Sequence, residues 1–213
     1  MSHDDFAFEP VKGLPERPPE GEVILWQGRP DWWALTNESL NLKWVAGYFV
    51  LLAIWRFVTL ADQVTFASAF AASFPFIIMG AIVCAMLLVI GYVQARATVY
   101  TVTNRRVAMR IGAALTVTLN LPFTQINSAD LDLRRRGTGT IALDLKGDTR
   151  LSYLVCWPHV RPWVLRRTQP ALRCIPEAQK VAAMIAEAAE ARVSTPKVAL
   201  KPAAPAGTAV AAE

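Results

Sequence analysis

The sequence predicts a membrane-anchored α+β protein: two transmembrane helices, then a small antiparallel β-barrel capped by a C-terminal helix. Three observations carry that prediction. Residues 74–94 read FPFIIMGAIVCAMLLVIGYVQ, without one charged residue. A helix of roughly 20 apolar residues matches the ~30 Å hydrocarbon core of a bilayer. After Arg96 the apolar pattern changes from continuous to alternating, the period of strands. Residues 176–191, PEAQKVAAMIAEAAEA, then return to a helical period.

Composition supports this division. The 213 residues are 54% hydrophobic, with a mean hydropathy of +0.30. That is too apolar for an ordinary soluble domain and too polar for a many-span transporter. The net charge of +5 suits a surface facing anionic lipid headgroups. No nucleic-acid motif accompanies it, so nucleic acid is not expected as a partner. Cys84, Cys156 and Cys174 contain no CxxC, and His3 and His159 complete no zinc set. The cysteines are read as reduced thiols, and no metal or cofactor is expected.

Taken in order, residues 1–20 mix acids and prolines and are read as a disordered or loosely docked tail. Residues 21–43 form an interfacial, Trp-rich segment. Trp26, Trp32, Trp33 and Trp44 are amphipathic rings placed before or at the first apolar run, where they would set its depth. Thr36 or Asn37 is the expected cap of a short helix leading inward. Residues 44–60, WVAGYFVLLAIWRFVTL, make the first span. Its Arg56 lies about 6 Å from the Leu60 end by helical rise, close enough to snorkel outward or meet Asp62. Residues 61–73 connect the spans and 74–95 make the second, with Pro75 in its first turn.

Lys12, Arg17, Arg29 and Lys43 precede the first span, and Arg96, Arg105, Arg106 and Arg110 follow the second. The connection has no Lys or Arg. The positive-inside rule therefore places both termini in the cytoplasm and the connection outside.

The domain expected over residues 96–193 is built of short strands. Residues 97–104 and 106–112 flank an Asn104-Arg105 turn, and Pro122 ends the strand begun at Leu115. Residues 126–134, 140–145 and 150–155 alternate in turn. In 176–191, Pro176 suits the first helical position, and Val181, Met184, Ile185 and Ala188 share one apolar face. Residues 194–213 are Ala/Pro-rich and read as a disordered tail.

Between strands and helix, residues 157–174 read WPHVRPWVLRRTQPALRC. Trp157 and Trp163 offer rigid contact area, and Arg161, Arg166, Arg167 and Arg173 offer planar forks for carboxylate or phosphate. The same residues read otherwise as barrel packing and surface solvation. By its surroundings His159 reads as a hydrogen-bonded loop histidine. Enzyme chemistry finds no support. Ser128 and Ser152 lack a GxSxG, Gly137 and Gly139 stand on a hairpin, and Asp130 and Asp132 read as solvated partners for Arg134, Arg135 and Arg136.

Two spans followed by YTVTNRRV at 100–107, paired strands and a closing helix resemble bacterial pleckstrin-homology-like (PH-like) domains on membrane anchors. GEVILWQGRPDWWAL at 21–35, LPFTQI at 121–126, GTGTIAL at 137–143 and WPHVRPW…RTQPALRCIPEA at 157–178 are together similar to the PuhB family, photosynthetic reaction-centre assembly proteins of purple bacteria. The likeness runs from residue 21 to about 190. It implies a PH-like barrel and a non-catalytic factor for assembling the reaction centre and core light-harvesting complex. It implies reaction-centre and core antenna subunits as partners beside membrane lipids, with homo-oligomerisation open, and it adds a bacteriochlorophyll magnesium ligand as the alternative reading of His159. The competing expectation is a membrane-anchored PH-like module that binds anionic lipid headgroups and has no photosynthetic role.

Overall fold

The computed structural model describes residues 10–113, 115–134, 137–147 and 151–194. Expectations for residues 1–9 and 195–213, and for Arg135, Arg136 and Arg150, lie outside the described residues.

Strand β1 (Ile24–Gly28) leads into helix α1 (Trp32–Ser39), then α2 (Leu42–Ala61) and α3 (Phe66–Ala97). Strands β2 (Val99–Thr103), β3 (Arg106–Ile111), β4 (Val117–Pro122), β5 (Ile126–Leu133) and β6 (Thr138–Leu145) follow. A one-turn helix α4 (Tyr153–Cys156), strand β7 (Ala171–Pro176) and helix α5 (Ala178–Ser194) complete the chain. All strand pairs are antiparallel, in a sheet ordered β1-β2-β3-β4 and a second ordered β5-β6-β7.

Both sheets face one core. Tyr100, Val102, Val107 and Met109 meet Ile141, Leu143, Leu172 and Ile175 there, with Phe123 between them. The apolar face of α5 closes it: Val181 and Ile185 are buried and Met184 is half-buried. The expected barrel does not close. Pro122 cannot extend the ladder, and a single 3-10 turn at Phe123–Gln125 carries the chain into the other sheet. Helix α5 packs over β5, β6 and that turn, so a helix fills the seam where a barrel would need strand pairing.

Further expectations change. The apolar run at 23–26, expected at the membrane interface, is strand β1. Gln27 pairs with Thr101, so the whole α2–α3 hairpin is inserted between two neighbouring strands. Of the two readings of the tail, residues 10–22 take the docked one: Leu14 is buried, the Lys12 carbonyl accepts from Gln27 Nε2 at 2.6 Å, and Glu22 meets Arg106 at 2.9 Å. The cap of α1 is Asp31, whose carboxylate accepts from Ala34 N–H at 2.7 Å. Thr36 and Asn37 lie inside the helix and bond back to the Trp32 and Trp33 carbonyls. Helix α3 begins at Phe66, capped by Thr65, so Pro75 lies well inside it and the connection is shorter than expected. Finally, Pro176 ends β7 instead of starting α5, and residues 153–156 form α4 where a strand was expected.

Helices α2 and α3 are long and apolar enough to cross a membrane. Their mutual packing uses Gly80, where a Cβ would come within 2.7 Å of Phe49. Arg56 is exposed on α2 near its end, and no ion pair to Asp62 forms.

Candidate functional site

The site begins with α1, which ties the helical hairpin to the sheets. Gly91 lets it lie against α3, because a Cβ there would collide with Thr36. Leu35 packs with Ala95 of α3 and Cys174 of β7, and Asp31 N–H donates to the Cys174 carbonyl at 2.8 Å. Trp32 stacks edge-on against Tyr92 with centroids 6.2 Å apart. Trp32, Trp33 and Trp44 are exposed, Trp44 in the first turn of α2 and Trp32 beside Tyr92 near the end of α3. Trp26 is not among them. It sits half-buried in β1 against the shared core, because strand alternation turns it inward.

The loop from Trp157 onward is held by a buried polar chain. Arg173 N–H donates to the Tyr100 oxygen at 3.3 Å, and the Tyr100 hydroxyl lies 2.6 Å from His159 Nδ1. His159 Nε2 lies 3.0 Å from Thr98 Oγ1, which donates to the Gln94 carbonyl at 2.8 Å. Since Thr98 spends its proton on Gln94, the imidazole must carry its own proton on Nε2. The chain thus runs from β7 to the last turn of α3. Burial first, and the Arg173 charge second, push the His159 pKa down to about 3. Burial also holds the Tyr100 hydroxyl far above its ordinary value.

This arrangement removes two residues from the expected partner surface. His159 is wholly buried with both ring nitrogens occupied, leaving neither for a bacteriochlorophyll magnesium. Arg173 is buried in β7 and donates to the Val160 carbonyl at 3.0 Å. Its sequence neighbourhood looked like loop because β7 is short and bracketed by prolines. Arg161 is paired with Asp130 at 2.7 Å and Gln169 at 3.1 Å. Arg167 caps the Leu145 carbonyl and lies 3.7 Å from Asp144. The Asp144 carboxyl is held below its ordinary pKa, first by the Asn127 amide and also by Gln169 and Arg167. Arg166 is exposed.

Trp157 and Trp163 remain at the surface. Trp157 flanks a narrow gap with Leu40, Gly91 and Gln94. Trp163 is 90% exposed and has φ +64, a left-handed conformation unusual for a bulky residue. It borders two clefts of about 530 and 630 Å³, the first shared with Glu38, Asn41 and Trp157, the second with Asp130, Asp132 and Arg161. Arg134 lines both, and lines a third cleft of about 760 Å³ with Trp33, Asn37 and Lys43. Arg134 meets Asp132 at 3.0 Å and Glu38 at 3.6 Å. Glu38 also accepts from the Cys174 thiol at 3.4 Å. Burial chiefly, then the Glu38 charge, push that thiol up to about 12. The result is one polar and aromatic surface centred on Arg134, at the cytoplasm-directed ends expected for α2 and α3. Glu38, Lys43 and Arg134 were absent from the sequence-based set. No local motif marks them, since Glu38 meets Cys174 across 136 residues of chain.

Residues 42–189 match the bacterial PH domain family, and the chain belongs to it. The chain is also 47% identical over 213 residues to a Rhodobacter capsulatus protein described as an uncharacterized 23.7 kDa protein in the puhA 5′ region. That alignment covers 99% of this chain and 100% of the relative. No solved structure matches.

Proposed function

We propose that this member of the bacterial PH domain family is a non-catalytic membrane assembly factor for the photosynthetic reaction centre and its core light-harvesting complex. Helices α2 and α3 span the inner membrane, with both termini cytoplasmic. The Arg134-centred clefts receive the extramembrane segment of a reaction-centre or antenna subunit where it leaves the bilayer.

The observation that carries this reading is the placement of Trp33, Trp157, Trp163, Arg134 and Glu38 together at the ends of two apolar helices. Rigid aromatics beside an arginine fork are the usual anchors of a protein interface. Confinement to one membrane plane raises the effective concentration of such a partner. The relative's position in the puhA 5′ region supports a photosynthetic role. The Lys/Arg asymmetry around α2 and α3 supports the topology.

The test replaces Arg134 by Glu and Trp163 by Ala in a photosynthetic host. Reaction-centre and core antenna absorbance should fall, while the protein itself stays at normal level in the membrane. A photo-crosslinker at Trp163 should capture a subunit of those complexes. Normal pigment-complex accumulation in the double variant would remove the clefts from the mechanism, and is the outcome a module reading only lipid headgroups predicts.

A further inference from the structure

We propose that the loop carrying α4 enters the headgroup layer of the membrane and forms a third attachment of the domain, beside α2 and α3. The inference rests on the reading that those two helices span a bilayer.

The loop separates its side chains into two populations. Cys156, His159 and Val160 are buried, whereas Leu154 is 85% exposed, Leu165 is 66% exposed, and Val155 also stands outward. A one-turn helix presenting Leu and Val to water loses apolar burial that a core position would supply. The position of the loop identifies the missing apolar phase. Its Trp157 lies beside Leu40, Gly91 and Gln94, and its Tyr153 and Trp163 border a cleft with Asn41. Helix α2 starts immediately after Asn41, and Gln94 is in the last turn of α3. The loop therefore lies level with Trp44 and Tyr92, the aromatic residues at the same helix ends, and is continuous with the belt they form.

Charge points to the same occupant. Arg166 directly follows Leu165 and is exposed, so a cationic head flanks the apolar tip, while the neighbouring Arg167 is held by the Leu145 carbonyl and Asp144. That pairing of shallow apolar insertion with adjacent basic groups is how interfacial segments hold an anionic leaflet. The buried chain from Arg173 through Tyr100 and His159 to Thr98 keeps the loop registered to the end of α3. Insertion then fixes the tilt of the domain, and the Arg134 clefts stay free for a protein partner.

Spin labels on the full chain in vesicles of phosphatidylethanolamine and phosphatidylglycerol test this. Labels go one at a time on Leu154→Cys, Val155→Cys and Leu165→Cys in a Cys84→Ala background, since Cys156 and Cys174 are buried. Val50→Cys on α2 and Glu187→Cys on α5, both exposed positions, serve as references. Circular dichroism checks that each variant is folded, and three loop positions guard against one that is not. The ratio of collisions with oxygen to collisions with a water-soluble nickel chelate should be severalfold higher at the loop than at position 187. A loop ratio equal to that at 187, with position 50 lipid-like, overturns the insertion and leaves the spans standing. Loop labels shielded from both reagents overturn it in favour of a protein cover. A water-like position 50 overturns the spanning reading and the insertion with it.

Discussion

The helical hairpin and the β domain are both rich in Val, Ile, Leu and aromatic residues, yet they treat them oppositely. In the most apolar stretches of α2 and α3 only 6% and 11% of residues are buried. In β2 every residue is buried, and in β3 all but the first. One region builds its own interior, and the other leaves its apolar surface for a surrounding phase. A helix can do this because its backbone bonds are satisfied internally, whereas a strand must find partners. The two regions are also entangled, since the hairpin leaves from one strand and returns into its neighbour.

The largest expected effect breaks that entanglement. A fragment of residues 97–194 contains what reads as a complete domain but lacks β1 and the docked segment with Leu14. Tyr100 to Thr103 would then have an unpaired edge and the core would lose Trp26. Most of the stability of such a domain, typically about 5–15 kcal/mol, should disappear. Circular dichroism and amide exchange would show an unfolded or aggregated fragment, and a cooperative native melt would show that β1 is dispensable.

Next comes a contrast between two apolar positions. Ile185→Asp places a charge in the buried seam between α5 and the sheets and should cost several kcal/mol. Val89→Ser, on the exposed flank of α3, should leave the melting of the β domain unchanged. Equal shifts in melting temperature for the two would dissolve the distinction between a packed interior and a lipid-facing surface.

A third test uses acid. His159 has an ordinary pKa near 6.5 when unfolded and about 3 when folded. The unfolded chain therefore binds a proton that the native one refuses. Stability should be complete above pH 6.5 and fall as pH drops toward 3, by about 5 kcal/mol at most. His159→Gln should flatten this slope in a urea titration repeated across that range, and an unchanged slope would remove the buried imidazole from the account.

The smallest effect concerns the joint itself. Asp31→Ala removes the cap of α1 and should cost about 1 kcal/mol. Because α1 rests on both α3 and β7, the loss should appear as faster exchange at Ala34 and Leu35 in both surroundings. Protection lost only on one side would show that α1 belongs to a single region.

The legible parts were those written in short-range pattern. The apolar length of α3, the alternation of β3 and β6, and the Val181–Ile185–Ala188 face of α5 are all visible within one turn or one strand. So was the exposure of Trp32, Trp33 and Trp44, because amphipathic rings next to an apolar run have few other places to go. The candidate site was legible only in part. Trp157, Arg161 and Trp163 do line the clefts, but His159 and Arg173 turned inward. Composition could not distinguish them, since a loop rich in Trp, Pro and Arg can face a partner or plug a core.

By itself the sequence determined the existence and kind of most elements, because hydrophobic period, chain length and proline position are local properties that act through neighbouring residues. Only the tertiary structure decided that β1 belongs with β2, that the sheets stop short of a barrel, and that Glu38 and Arg134 meet. Those outcomes depend on which distant surfaces find each other. Gln27 reaches Thr101 across 74 residues and a whole helical hairpin, and strand pairing at that range is set by the shared core, to which no single stretch of chain holds the pattern.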